Sequence, residues 1–264
     1  MQILNGDCLE LMKTLPDKSI DLFICDLPYG CLSGNAKIDP DFKKLENSYG
    51  HAKCSWDIKI DLNAFWIQVE RLMKNDHTPI IQFCNTSFGN DLINSKPAWF
   101  RYDLVWSKPS AIGFLNANRQ PLRSHENIYV FAKKGATYYR KDIEGDFKNT
   151  NKGSRPTDLN NNVFQHFENT PKVSNEGKRC IKSVIEMNNK KGKGQHPTAK
   201  PIDLYKFLIE RYSKEGDTIL DPTFGSGNSG IASVELNRKY IGIEKDEKFF
   251  NKFAEKQSAT EKGS

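Results

Sequence analysis

Residues 19–30 read SIDLFICDLPYG, and their pattern decides the fold. A short, mainly apolar run from residue 20 to residue 25 ends in Asp26, Leu27, Pro28, Tyr29 and Gly30. Aliphatic, aromatic and β-branched residues that stop at Asp, Pro and Gly predict a buried parallel strand delivering its last residues into a functional loop. The loop gathers a carboxylate, a backbone carbonyl fixed ahead of a proline, and an aromatic ring. Together these groups suit a flat, amine-bearing heterocycle. The peptide alone supplies no second reactant, so the rest of the chain must.

Outward from this stretch, strands and helices alternate. Residues 2–4 predict a strand running into Asn5-Gly6-Asp7, and CLELMKTL predicts a helix closed by Leu15-Pro16-Asp17. Asp7 ends a strand and begins a helix, so both a capping role and a ligand contact are open to it. Beyond the tetrad, residues 31–57 show little periodicity and carry Gly34, Pro40, Gly50 and Trp56. A loop of that length inside a domain reads as a mobile substrate loop. A helix over 62–73, a strand over 79–84 and a helix over about 88–94 follow. Strands over 101–106 and 127–132 lack a long helix between them, which predicts an antiparallel hairpin at one sheet edge, with 110–121 as loop.

Length and charge narrow the class. The 264 residues fit one α/β domain with insertions or two modest domains. With 27% charged residues, no stretch approaches a membrane span. The first residues carry acid rather than a basic segment ahead of an apolar block, which argues against a secretory signal. Cys8, Cys25, Cys31, Cys54, Cys84 and Cys180 form no CxxC pair, so a reduced, cytoplasmic setting is expected and no metal site is assigned. Between residues 133 and 200 stand fifteen Lys and Arg against seven Asp and Glu, while the remainder holds slightly more acid than base. That asymmetry suits a polyanionic partner. It coincides with an Asn-, Lys- and Gly-rich segment, 141–194, which reads as either a disordered linker or an irregular recognition insert.

Periodicity returns at Gln195-His196-Pro197-Thr198-Ala199-Lys200-Pro201, with a helix to about residue 212. Residues 218–221 then run as a strand into DPTFGSGNSG, a helix over 228–236, and a final strand, KYIGIE, ending at Glu244. Gly225, Gly227 and Gly230 permit a tight turn and close approach of a ligand to the backbone. No Gly-Lys-Ser/Thr follows, so the loop is not a nucleotide-triphosphate cradle. A carboxylate at the end of the next strand suits ribose hydroxyls.

Three segments carry a resemblance across nearly the whole chain: GDCLELMKTLPDKSIDLFICDLPYG, HPTAKP, and DPTFGSGNSG with YIGIE. In this order they resemble the S-adenosylmethionine-dependent DNA amino-methyltransferases of the beta arrangement, N6-adenine type ahead of N4-cytosine. The resemblance implies a Rossmann-like α/β fold with a seven-stranded, mostly parallel methyltransferase sheet. It also implies a discontinuous catalytic domain, 1–140 with 195–264, interrupted by a target-recognition insert at 141–194.

The site residues follow from the same resemblance. Asp26 and the Leu27 carbonyl would accept hydrogen bonds from the target amine, with Pro28 fixing the loop and Tyr29 stacking on a flipped base. S-adenosylmethionine is the implied cofactor. Asp221 would approach its amino group; Pro222, Phe224, Gly225, Ser226 and Gly227 would shape its pocket, joined by Asn228 and Ser229. Glu244 would hold the ribose, Asp7 and Cys8 would lie by the adenine, and Thr198 and Lys200 would border the methionine part. Ser124, His125 and Glu126 are assigned only structural support, and Trp106 and Lys108 either shape the pocket or belong to core and surface. Leu27 departs from the commoner Asp-Pro-Pro-Tyr, and Asn228-Ser229 from the more usual Thr-Thr. The implied reaction is site-specific methylation of adenine N6 in double-stranded DNA, within a bacterial or virus-infected cell. N4-cytosine methylation is the nearest alternative and an inactive nucleic-acid-binding protein a more distant one. A homodimer and a cognate restriction endonuclease are left open.

Overall fold

The computed structural model describes residues 1–30, 57–114, 117–144, 178–189 and 199–262, with side chains through 257. Two units are distinguished, Met1–Tyr139 with Ser183–Ser264, and Arg140–Lys182.

In the larger unit the chain alternates as the apolar pattern requires. Strand β1 (Gln2–Asn5) leads to α1 (Cys8–Met12), then β2 (Leu22–Cys25), α2 (Leu62–Leu72), β3 (Ile80–Cys84) and α3 (Thr86–Ser95). Next come β4 (Phe100–Ile112) and β5 (Arg123–Phe131). In the smaller unit β6 (Ile143–Glu144) and β7 (Lys178–Arg179) pair antiparallel. The larger unit resumes with β8 (Val184–Glu186), α4 (Ile202–Tyr212), β9 (Thr218–Asp221), α5 (Asn228–Glu235), β10 (Lys239–Glu244) and α6 (Glu247–Lys262).

Its sheet has the order β1-β10-β9-β2-β3-β5-β4-β8. Pairing is parallel from β1 through to β3 and antiparallel for β3/β5 and β5/β4. The expected mostly parallel sheet is present with one strand more than seven. The extra strand, β8, pairs parallel with β4 and comes from the segment expected to be insert. It is only three residues long, and Ile185 alone is buried, so no periodicity announces it. The expected hairpin of late strands is β4/β5, one position in from the edge because β8 covers it. Strand β4 also runs to Ile112, through residues expected to be loop, because β5 supplies partners as far as Ile112↔Arg123 across a register shift.

Strand β2 shows why the sheet is two-sided. All four of its residues are buried, Phe23 and Cys25 against α1, α2 and α3, Leu22 and Ile24 against α4 and α5. Alternation by twos sends successive side chains into different cores. Helix starts are fixed by short polar side chains. Asp61 accepts from the Asn63 and Ala64 amides, and Asn85 accepts from the Phe88 amide at 2.7 Å. Asn85→Ala is expected to cost about 1 kcal/mol and to lower the melting temperature by roughly 2–4 °C in a calorimetric scan. An unchanged transition would remove the cap from the account.

Candidate active site

Strands β2 and β9 are neighbours, but β2 continues to β3 on one side and β9 to β10 on the other. Where neighbouring parallel strands lead away in opposite directions, a crevice opens beyond their carboxyl ends. A cavity of about 510 Å³ lies there. Its wall takes Gly6–Leu9 after β1, Asp26–Tyr29 after β2, Pro222–Ser226 after β9 and Glu244–Asp246 after β10. Two sequence segments nearly two hundred residues apart thus share one space.

At the first pole, the Asp26 carboxylate is held at both oxygens. Oδ2 lies 2.5 Å from the Lys200 ammonium, and Oδ1 accepts from the Tyr29 hydroxyl at 2.9 Å. Its backbone carbonyl accepts from the Thr223 hydroxyl at 3.1 Å, which ties this loop to the second pole. Tyr29 stacks on Phe88 with ring centroids 5.1 Å apart, and burial keeps its phenol well above the ordinary range. Leu27 lines the cavity while lying almost wholly in the hydrophobic core. The Gly30 amide donates to Asp57 at 2.9 Å; apart from Asp57, the expected substrate loop lies outside the described residues.

Lys200 stands at this pole, facing Asp26, and is only 4% exposed. Burial works against its charge, but Asp26 and Glu126 outweigh it and hold its pKa above the ordinary lysine value. Glu126 is in turn gripped by Lys108, and these two lysines overcome burial to keep its carboxyl below the usual range. Lys108 also lies over the Trp106 ring at 4.3 Å, while the Trp106 indole donates to the Met187 carbonyl at 2.9 Å.

The second pole is built on backbone amides. Glu244 accepts from the Gly225 and Asp246 amides, each at 2.8 Å, and burial still raises its pKa. Asp7 caps α1 through the Leu9 amide and meets Lys245 at 3.1 Å while lining the cavity, so it combines both expected roles' positions. Burial pushes its carboxyl up, but Lys245 and the amides outweigh this and lower it. Cys8 lines the same wall, and burial raises its thiol to about 12, so it stays protonated. Phe224 and Phe249 supply apolar surface.

Not every expected cofactor residue reaches the cavity. Asp221 is 1% exposed and accepts from the Ser229 hydroxyl at 2.5 Å and the Thr223 amide at 3.0 Å. Asn228 donates to the Lys200 carbonyl at 2.7 Å, and Gly227 begins α5 with φ +75°. These residues stand behind the wall and brace it. Thr198 lies outside the described residues. The cavity also takes Ile58–Asp61, Glu126, Tyr205, Thr223, Lys245, Asp246 and Phe249, none of which was assigned to the site. Thr223 sits inside the DPTF motif and Glu126 inside Ser124-His125-Glu126, so a signal existed for both. For the others only the tertiary arrangement reveals them.

Burial raises the Asp221 carboxyl from 3.8 to about 7, against the Ser229 and Thr223 hydrogen bonds that lower it. Between these values the folded chain binds more protons at this site than the unfolded chain. Stability from this group is therefore lost as pH rises from about 4 through 7, by on the order of 4 kcal/mol. Asp221→Asn cannot ionise, so its urea midpoint is expected to fall less than that of the parent from about pH 5 to about pH 8. Parallel curves would contradict the assignment.

Residues 20–255 match the model of the N6/N4 methyltransferases, described as DNA methylase. Type II methyltransferase M.HinfI of Haemophilus influenzae is 27% identical over 266 residues, covering 94% of this chain and 66% of that protein. The chain thus spans slightly less than two thirds of that relative. The M1.HpyAVI–SAM complex matches with a TM-score of 0.55 at 21% identity, over 97% of both chains. The cytosine-N4-specific PvuII DNA methyltransferase matches with a TM-score of 0.59 at 16% identity, over 92% of this chain and 81% of that one. At such identities the structural likeness establishes the fold.

Proposed function

This chain belongs to the N6/N4 DNA methylase family, and we propose that it transfers a methyl group from S-adenosylmethionine to the exocyclic N6 amine of adenine in double-stranded DNA. The observation that carries this reading is the single cavity that holds Asp26 at one end and Glu244, braced on the Gly225 amide, at the other. The donor set suits the cofactor. Carboxylates at Asp7, Glu244 and Asp246 favour hydroxyls, amines and a sulfonium, and Phe224 and Phe249 offer apolar faces to an adenosyl group. That the M1.HpyAVI relative is a SAM complex supports the same cofactor.

An exocyclic base amine is a weak nucleophile because its lone pair is delocalised into the ring. When bound, S-adenosylmethionine supplies a methyl carbon whose C–S bond breaks as the N–C bond forms, the bonding pair leaving on sulfur. The chain's own contribution is orientation and electrostatics. Asp26 and the Leu27 carbonyl accept from the amine and stabilise the positive charge that grows on it. Tyr29, fixed by Phe88 and Asp26, presents the remaining ring surface to the base. Inside a duplex the N6 amine is out of reach, so the base is flipped into the cavity. The carboxylate at position 26 favours adenine over cytosine.

The net basic segment 141–194 is assigned to reading the DNA, on charge alone, with 31–57 as the substrate loop. The type II name of M.HinfI supports a restriction–modification setting; a cytoplasmic location, a cognate endonuclease and a second copy of the chain as partners are our further inference. Among the described residues no helix is long and apolar enough to cross a membrane.

The test is transfer of labelled methyl to duplex DNA of mixed sequence, followed by digestion to nucleosides. Label in N6-methyl-2′-deoxyadenosine is expected. Label confined to N4-methyl-2′-deoxycytidine would overturn the base assignment, and no transfer to any duplex would overturn the activity.

A further inference from the structure

Resting on that reading, we propose that Glu126 is a positioning residue: it takes the Lys200 ammonium from Asp26 when the target amine arrives.

The carboxylate that must accept the amine is already engaged at both oxygens, by Lys200 at Oδ2 and by Tyr29 at Oδ1. Each oxygen keeps a second lone pair, so a bound amine shares its acceptor with a hydroxyl or with an ammonium. Tyr29 is anchored by stacking on Phe88, and its hydroxyl is a neutral donor. Lys200 is the stronger competitor, because its charge neutralises the carboxylate that is to stabilise the developing ammonium on the base. With its side chain 4% exposed, Lys200 cannot leave Asp26 for water. It needs a second acceptor within the protein.

Glu126 supplies that acceptor. Its Oε1 is held by Lys108 from the neighbouring strand. Its Oε2 is buried, has no hydrogen-bond partner among the described residues, and lies 3.4 Å from the Lys200 nitrogen. Buried carboxylate oxygens are ordinarily hydrogen-bonded, and this one faces the single cation that Asp26 must release. A movement of the ammonium by about 0.6 Å would bring that contact to ordinary hydrogen-bond length. The row Lys108–Glu126–Lys200–Asp26 holds two positive and two negative charges. Moving Lys200 along it leaves the total unchanged, restores full negative charge at Asp26, and keeps the buried ammonium paired throughout. The Asn228 bond to the Lys200 carbonyl fixes the backbone, so only the side chain has to swing.

Glu126→Gln and Glu126→Asp in the full chain test this, the first removing the charge and the second withdrawing it by one methylene. Single-turnover methyl transfer to duplex DNA is read beside calorimetric affinity for S-adenosylmethionine and KM for the duplex. Glu126→Gln is expected to lower kcat about 100-fold, with cofactor affinity and duplex KM within about twofold of the parent. Glu126→Asp is expected to recover part of the loss, to within about tenfold of the parent. If Glu126→Gln does not fold, Glu126→Asp carries the test by the same split. An undiminished kcat in the folded variants, or a loss that appears in cofactor affinity rather than kcat, overturns the role of Glu126 and leaves the proposed activity standing. A parent chain that binds the cofactor but methylates no duplex overturns both.

Discussion

Asp26→Ala is expected to slow methyl transfer by about a hundred- to a thousandfold while leaving affinity for S-adenosylmethionine within about twofold. The substitution removes the carboxylate proposed to accept the amine, and no other acidic residue among the described ones contacts the Tyr29 hydroxyl or the Lys200 ammonium except Glu126. The proposed cofactor contacts, Glu244 and the amides of Gly225 and Asp246, make no hydrogen bond to the Asp26 carboxylate. The two effects should therefore separate in rate and in binding. Leaving a buried cation without its partner ordinarily costs about 3–5 kcal/mol. Here Glu126 remains 3.4 Å from Lys200 and offsets part of that, so the variant should fold. Single-turnover kinetics beside a cofactor titration reads both quantities. Turnover close to that of the parent would remove Asp26 from the reaction.

Gly227→Ala is the substitution expected to damage the fold most. Gly227 has φ +75°, a left-handed conformation that costs a residue with a side chain about 1–2 kcal/mol. A Cβ there would lie 2.1 Å from the Phe253 ring. That ring cannot swing clear, because it is buried and packs on Phe224 with centroids 5.2 Å apart. Overpacking adds about 1–3 kcal/mol, so the total is about 2–5 kcal/mol against the roughly 5–15 kcal/mol that holds a domain folded. Phe224 lines the cavity, so displacement of Phe253 is also expected to weaken cofactor binding. Thermal unfolding and a cofactor titration on the same sample check both. A variant that melts with the parent would show that the helix start tolerates a side chain.

Much of this architecture is legible in the residues themselves. The run through Cys25 into Asp26 and the run through Asp221 into the glycines each announce a buried strand with a loop at its end. Their adjacency in the sheet, β9 beside β2, is what places both loops at one crevice. Local pattern cannot supply that adjacency, because parallel neighbours are joined only through long connections. The resemblance of the whole chain can, since the order of motifs implies it. Four features lay beyond both. Strand β8 is too short for its period to register, and β4 continues past Trp106 only because β5 offers it partners. Glycine spacing suggested a cofactor cradle, yet Gly227 is needed for packing against Phe253 and Asp221 for bracing Ser229 and Thr223. The pairing of Lys200 with Asp26 joins positions 174 residues apart, and nothing in HPTAKP points to it.

One cavity is expected to bring the methyl donor and the target amine together between Glu244 and Asp26. The most direct measurement is a crystal structure of the chain with S-adenosylmethionine. The ribose hydroxyls are expected on Glu244, the adenosyl ring against the apolar wall, and the methyl group turned towards the Asp26 carboxylate. A cofactor bound outside this cavity, or bound within it with the methyl group turned away from Asp26, would rule out methyl transfer between these two poles.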